Sequence, residues 1–123
     1  MATFSKLTLQ PAGATGTGLG IKVAATATAG TALHTASATA TTIDEIWLYA
    51  VNSSSASVKL TIEWGQADAP DGNIEVTVLP EAGLVTVIPG LLLQGNATAK
   101  VVRAFAGTTN VIVMHGFVNR ITA

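Results

Sequence analysis

The stretch Val58-Lys59-Leu60-Thr61-Ile62-Glu63-Trp64 decides the fold class. Apolar residues hold its even positions and polar residues its odd ones, the two-residue period of a strand with one face in a core and the other in water. Leu60 and Ile62 are therefore expected in the core, and Lys59, Thr61 and Glu63 on a solvated face.

Working outward, turn residues bound this strand on both sides. Asn52-Ser53-Ser54-Ser55 precedes it, and a loop punctuated by Pro70 and Asp71-Gly72 follows. Upstream, Ile46 to Val51 is apolar on both parities, which predicts a central strand covered on both faces. Downstream, Ile74, Val76 and Val78 alternate with Glu75 and Thr77, and Pro80-Glu81-Ala82-Gly83 turns the chain. Leu84 to Ile88 reads as a strand stopped by Pro89-Gly90, with Leu91 to Leu93 as a short edge piece. Thr98 to Phe105 and Val111 to Val118 complete the set, divided by Gly107-Thr108-Thr109-Asn110. No segment keeps a 3.6-residue apolar period with caps, so helix is not expected. Strands spaced by roughly 8–12 residues predict an all-β, antiparallel β-sandwich. Long apolar closing strands without a cysteine pair favour a jelly-roll-like arrangement over an immunoglobulin-like one.

The first 42 residues differ in character. Phe4 to Leu9 reads as a short strand with Leu7 and Leu9 inward, and the glycine-rich run from Gly13 to Gly20 reads as a flexible linker. That run lacks the Gly-Lys-Ser/Thr ending of a phosphate-binding loop and the spacing of a dinucleotide fingerprint. Ile21 and Val23 open another extended segment. From Ala24 to Thr42 every residue except Leu33 and His34 is Ala, Thr, Ser or Gly, with a change of phase at Gly30 that suggests a bulge or turn. Burying a methyl-sized group gains only about 0.8 kcal/mol, so this tract needs a neighbour to stay ordered. Residues 1–42 are expected to form an N-terminal arm or edge strands, and residues 43–123 the sandwich body.

Composition narrows the function classes. Charged residues are 11% of the chain and the net charge is −1. A basic field that would attract nucleic acid is missing. With no cysteine, thiolate metal sites and disulfides are excluded. The N-terminus has no apolar signal region and no stretch reaches the roughly 20 apolar residues of a membrane helix, so neither export nor a membrane partner is expected. The Asn52-Ser53-Ser54 and Asn96-Ala97-Thr98 sequons are read as accidental.

No catalytic, cofactor-binding or metal site is assigned. His34 lies among Ala and Thr, and His115 in an apolar run, with no nucleophile elbow at any serine. Both are expected to be hydrogen-bonded interior or interface residues. Asp68, Asp71 and Asn73 share a loop, but their spacing is not that of a Ca²⁺ loop and their side chains can bond their own backbone. Asp44 and Glu45 begin a strand, while Glu63 and Glu75 are read as outward, so no acid pair is proposed. Trp47, Tyr49 and Trp64 suit either a sugar-stacking platform or, as preferred here, a shared core.

Leu48-Tyr49-Ala50-Val51-Asn52-Ser53, Leu60-Thr61-Ile62-Glu63-Trp64-Gly65 and Leu84-Val85-Thr86-Val87-Ile88-Pro89-Gly90, then Val101 to Ala106 and His115 to Ile121, carry a resemblance. In texture they resemble the small β-sandwich virion proteins of tailed bacteriophages, above all the capsid decoration or cement proteins. That resemblance covers roughly Ile43 to Ile121. It implies a non-enzymatic virion protein, made in the host cytoplasm and carried on the capsid exterior. Such a protein acts as a dimer or trimer and bridges copies of the major capsid protein. A head-to-tail or tail component, and a carbohydrate-binding β-sandwich module, are the alternatives.

Overall fold

The computed structural model describes residues 2–13 and 16–122. Its strands are β1 (Thr3–Thr8), β2 (Ile21–Lys22), β3 (Thr31–Thr35), β4 (Thr42–Asn52), β5 (Val58–Glu63), β6 (Asn73–Val78), β7 (Val85–Gln94), β8 (Val101–Ala106) and β9 (Ile112–Thr122). No helix occurs among the described residues. A five-stranded sheet has the order β1-β9-β4-β7, with β2 also beside β9, and a four-stranded sheet has the order β3-β8-β5-β6. Every pairing is antiparallel. The pairs nest: β5 with β6, β4 with β7, β3 with β8, β1 with β9. One long hairpin, bent at the loop after Glu63, is thus rolled so that successive pairs fall in alternate sheets. This is the jelly-roll form of the β-sandwich.

The core follows strand parity. In β4, Ile46, Leu48 and Ala50 are fully buried, while the odd positions are only half-buried. Leu60 and Ile62 of β5 face them as expected. At one end, Asn52 ties the sheets together. Its Nδ2 donates to Ala56 O (2.8 Å) and Val78 O (2.9 Å), and its Oδ1 accepts from Ser54 N–H (2.9 Å) and Ser54 Oγ (2.8 Å). The amide's hydrogen-bonding capacity is filled, which explains an asparagine at a buried strand end.

The other face of β5 is not solvated as its alternation suggests. Thr61 and Glu63 are 2% and 1% exposed, because the segment between β2 and β3 folds against this sheet. Ala106 N–H donates to Ala25 O (3.0 Å), and the Glu63 carboxylate accepts from Gly30 N–H (2.6 Å) and from the Thr28 hydroxyl. Gly30 is required at this crossing, since a Cβ would stand 2.5 Å from the Ala104 carbonyl oxygen. Glu75 is exposed as expected, where it meets Lys59 at 2.6 Å. Glu63→Ala is expected to cost about 1–3 kcal/mol, since it strands buried donors. Lys59→Ala removes only an exposed ion pair and is expected to cost under about 1 kcal/mol. Urea unfolding of both variants checks the contrast; equal midpoints would refute the anchoring role of Glu63.

The leader does not stand apart as an arm. Thr3 to Thr8 pairs residue by residue with Thr122 to Phe117, and Thr31 to Thr35 pairs with Ala104 to Val101. Leu9, Val23, Leu33 and Ala36 enter the single core. Residues before Ile43 therefore supply edge strands, and the change at Ile43 is compositional rather than a domain boundary. Small side chains suffice here because backbone pairing does most of the ordering and the few large residues fall on the inner face. The register shift lies between Ala32 and His34, just beyond Gly30. Of the glycine-rich run, Ala14 and Thr15 lie outside the described residues. Gly16 folds back on β1, where a Cβ would come within 1.9 Å of the Leu9 carbonyl oxygen. Pro89-Gly90 does not end a strand either: β7 runs through it, with register shifts against β4 at Gly90 and at Val87.

Candidate functional site

Strand parity carries one row of side chains to the outer face of the five-stranded sheet. Glu45, Trp47 and Tyr49 of β4 lie directly opposite Asn119, Phe117 and His115 of β9. Lys6 and Thr8 of β1 extend the row, opposite Asn119 and Phe117. The Trp47 and Phe117 rings are nearly parallel, with centroids 5.9 Å apart and planes 8° apart, and Tyr49 follows at 6.5 Å and 26° from Phe117. Lys6 Nζ sits 5.0 Å from the Phe117 ring centroid, within cation–π range.

Polar groups fix these rings. Glu45 Oε1 accepts from Trp47 Nε1 (2.8 Å) and from Asn119 Nδ2 (2.9 Å). Those two hydrogen bonds, in that order, together with the nearby Lys6 charge, hold the Glu45 carboxyl below its usual range. The indole crosses Gly90 of β7, where a Cβ would approach its ring to 2.9 Å. Beside the rings lies an open cleft of about 480 Å³, lined by Phe4, Lys6, Glu45, Asn119, Arg120 and Ile121, with Ser5 at its side. Aromatic area with a few convergent polar groups is the usual make-up of a recognition surface.

Trp47 and Tyr49 are thus on the outer face rather than in the expected core. The doubly apolar run Ile46 to Val51 concealed which parity faced inward. Trp64 follows the expectation: it directly follows β5, partly buried against the core and away from the other two rings. Phe117, Lys6 and Asn119 were not singled out by sequence. Only the register of β9 between β1 and β4 places them together.

His34 has a partner that its sequence neighbours do not suggest. Its Nε2 lies 2.8 Å from Asp44 Oδ2, and its Nδ1 accepts the Gln10 N–H at 3.2 Å. With Nδ1 accepting, Nε2 carries the hydrogen and donates it to Asp44. Arg120 closes the cluster, with Nε donating to Oδ1 (2.7 Å) and a terminal nitrogen to Oδ2 (2.9 Å). Burial acts to raise the Asp44 pKa, but the bonds from Arg120 and then His34 overcome it and bring the group down to about 2. Both ring nitrogens and both carboxylate oxygens are engaged, so the cluster joins β3 to β4 and β9 and leaves no base free for a nucleophile. His115 lies half-buried on the outer face.

In the loop after β5, Asp68 and Asp71 are exposed, and backbone bonds hold the turn: Gly72 N–H to Asp68 O (2.7 Å) and Asn73 N–H to Pro70 O (3.1 Å). Among the described residues, no three His, Cys, Asp or Glu side chains converge as a metal site would require. No helix among them is long and apolar enough to cross a membrane. Comparison with protein-family models, with curated proteins and with solved structures finds no match to this chain.

Proposed function

We propose that this chain is a structural virion protein, a decoration subunit that binds the assembled head of a tailed bacteriophage and ties neighbouring copies of the major capsid protein together. The observation that carries this reading is the outer face of the five-stranded sheet, where Trp47, Phe117 and Tyr49 form a fixed aromatic strip. The groups around it are committed to holding the rings, which suits docking better than turnover. Jelly rolls serve as capsid and lectin domains, and that likeness is one of fold alone. The role is binding without catalysis. A ligand with affinity for the assembled shell and none for its dissociated subunits stabilises the shell by mass action.

Mass spectrometry of gradient-purified particles is expected to find the chain, and labelled chain is expected to decorate heads rather than tails. Trp47→Ala and Phe117→Ala are each expected to weaken binding to heads by about 2 kcal/mol or more, roughly thirtyfold, as central aromatic anchors do. Absence from particles sinks the virion reading; label on tails replaces decoration with a tail role. A second reading rests on the same rings. Trp47 and Phe117, with Glu45 and Asn119 beside them, suit the apolar face and hydroxyls of a neutral sugar. Glycan binding that is lost in Trp47→Ala, by a protein absent from particles, favours a carbohydrate-binding module.

A further inference from the structure

The side of the sandwich where β6 and β7 end the two sheets is left open. Leu91 is on the inner face of β7, opposite the fully buried Ile46 and between Ile88 and Leu93, which are 3% and 7% exposed. Leu91 itself is 43% exposed. Leu92 beside it is 56% exposed, and Leu79 and Leu84, at the turn from β6 to β7, are each 58% exposed. Ile74, Val76, Val85 and Val87 on the same two strands are only partly covered.

An edge strand offers unpaired backbone groups, and chains usually blunt such edges with charge, bulges or short length. Here β1 carries Lys6, β2 carries Lys22 and β6 carries Glu75, while β3 is five residues long and broken by a register shift. β7 is ten residues long, and no residue from Ala82 to Ala99 is charged. Its own register shifts fall at Val87 and Gly90, and beyond them Leu91 to Gln94 keeps regular register with Ile46 to Ile43.

We propose that β7 seats a second copy of this chain, in a two-fold dimer where Leu91 to Leu93 of each protomer lies antiparallel to the same stretch of the other, with Leu92 facing Leu92 across the axis. An edge of this kind takes another strand. A strand without charge and with leucines on both faces suits it, and β7 itself is such a strand. Pairing with β1 or β6 of another copy would set Lys6 or Glu75 against the leucines. A two-fold axis makes the antiparallel match by construction and closes the assembly at two. The dimer needs nothing but the chain and does not rest on the phage reading.

The chain has no cysteine, so Leu92→Cys carries a single thiol. In the proposed pairing the two residues at this position lie within disulfide reach, about 4.4–6.8 Å between Cα atoms. Mild oxidation is expected to give a covalent dimer of Leu92→Cys and none of Ser55→Cys, at the far turn. Sedimentation of the full chain from micromolar to submillimolar concentration is expected to find a dimer. Leu92→Lys, with its fold checked by near-ultraviolet circular dichroism, is expected to raise the dissociation constant by about tenfold or more through apposed like charges. Phe4→Lys on β1 is expected to leave it unchanged. A wild-type chain that stays monomeric throughout overturns the proposal. So does a dimer that ignores Leu92→Lys and fails to cross-link at Leu92→Cys.

Discussion

Removing residues 2–42 is expected to leave a chain that does not fold. The deletion takes away Leu9, Val23 and Leu33, whose burial is worth about 5–9 kcal/mol together, against a whole-domain stability of about 5–15 kcal/mol. It also bares β8 and β9 along their full edges and strands two buried carboxylates. Asp44 loses His34, and Glu63 loses both the Thr28 hydroxyl and the Gly30 N–H. The expected readout is a flat urea titration and no cooperative thermal transition. In the intact chain, hydrogen exchange is expected to protect Leu33 and His34 as well as Leu48. A deleted chain that still melts cooperatively would falsify the integral role of β1 and β3.

Asp44→Ala is expected to cost about 3–5 kcal/mol, because it leaves Arg120 and the His34 Nε2–H without their acceptor in a buried site. Asp44→Asn, which retains one acceptor oxygen, should cost less. The pH dependence has a definite sign. The folded pKa of Asp44 is lowered from 3.8 to about 2, so its ionisation contributes stability above the unfolded value that is lost as pH falls through the folded one. About 1–2 kcal/mol is expected to disappear between roughly pH 5 and pH 2. The gap in stability between wild type and Asp44→Ala should therefore narrow on acidification over that window. A gap independent of pH would mean that Asp44 is not held ionised by Arg120 and His34.

The strands of the body were legible because branched residues set a two-residue period that survives any packing partner. Val58 to Glu63 and Asn73 to Val78 are where alternation places them. What alternation cannot report is what comes to lie on the polar face. Glu63 reads as solvated from its neighbours, yet a segment more than thirty positions earlier covers it. The Ala/Thr leader misleads for a related reason. Its strands are stabilised by backbone pairing with β8 and β9, a contribution that side-chain hydrophobicity does not register. The candidate site was the least legible part. Trp47 and Tyr49 stood out as residue types, but Ile46 to Val51 is apolar on both parities. Phe117 joins them only through the register of β9 against β4.

The nested pairing also sets the order in which the molecule can be completed. β9 is the last of the nine strands among the described residues, yet it lies inside its sheet, between β4 on one side and β1 and β2 on the other. During synthesis the earlier strands of that sheet must wait, with open hydrogen-bonding edges, until Ile112 to Thr122 has left the ribosome. Only the β5–β6 hairpin, at the centre of the roll, has its partner close in sequence. Assembly of the fold is therefore expected to start there and finish at β1 and β9, and long-range pairing of this kind folds in milliseconds to seconds rather than microseconds. A nascent chain that stalls short of β9 would expose its uncharged β7 edge and bare leucines, and another unfinished copy is the partner most like it.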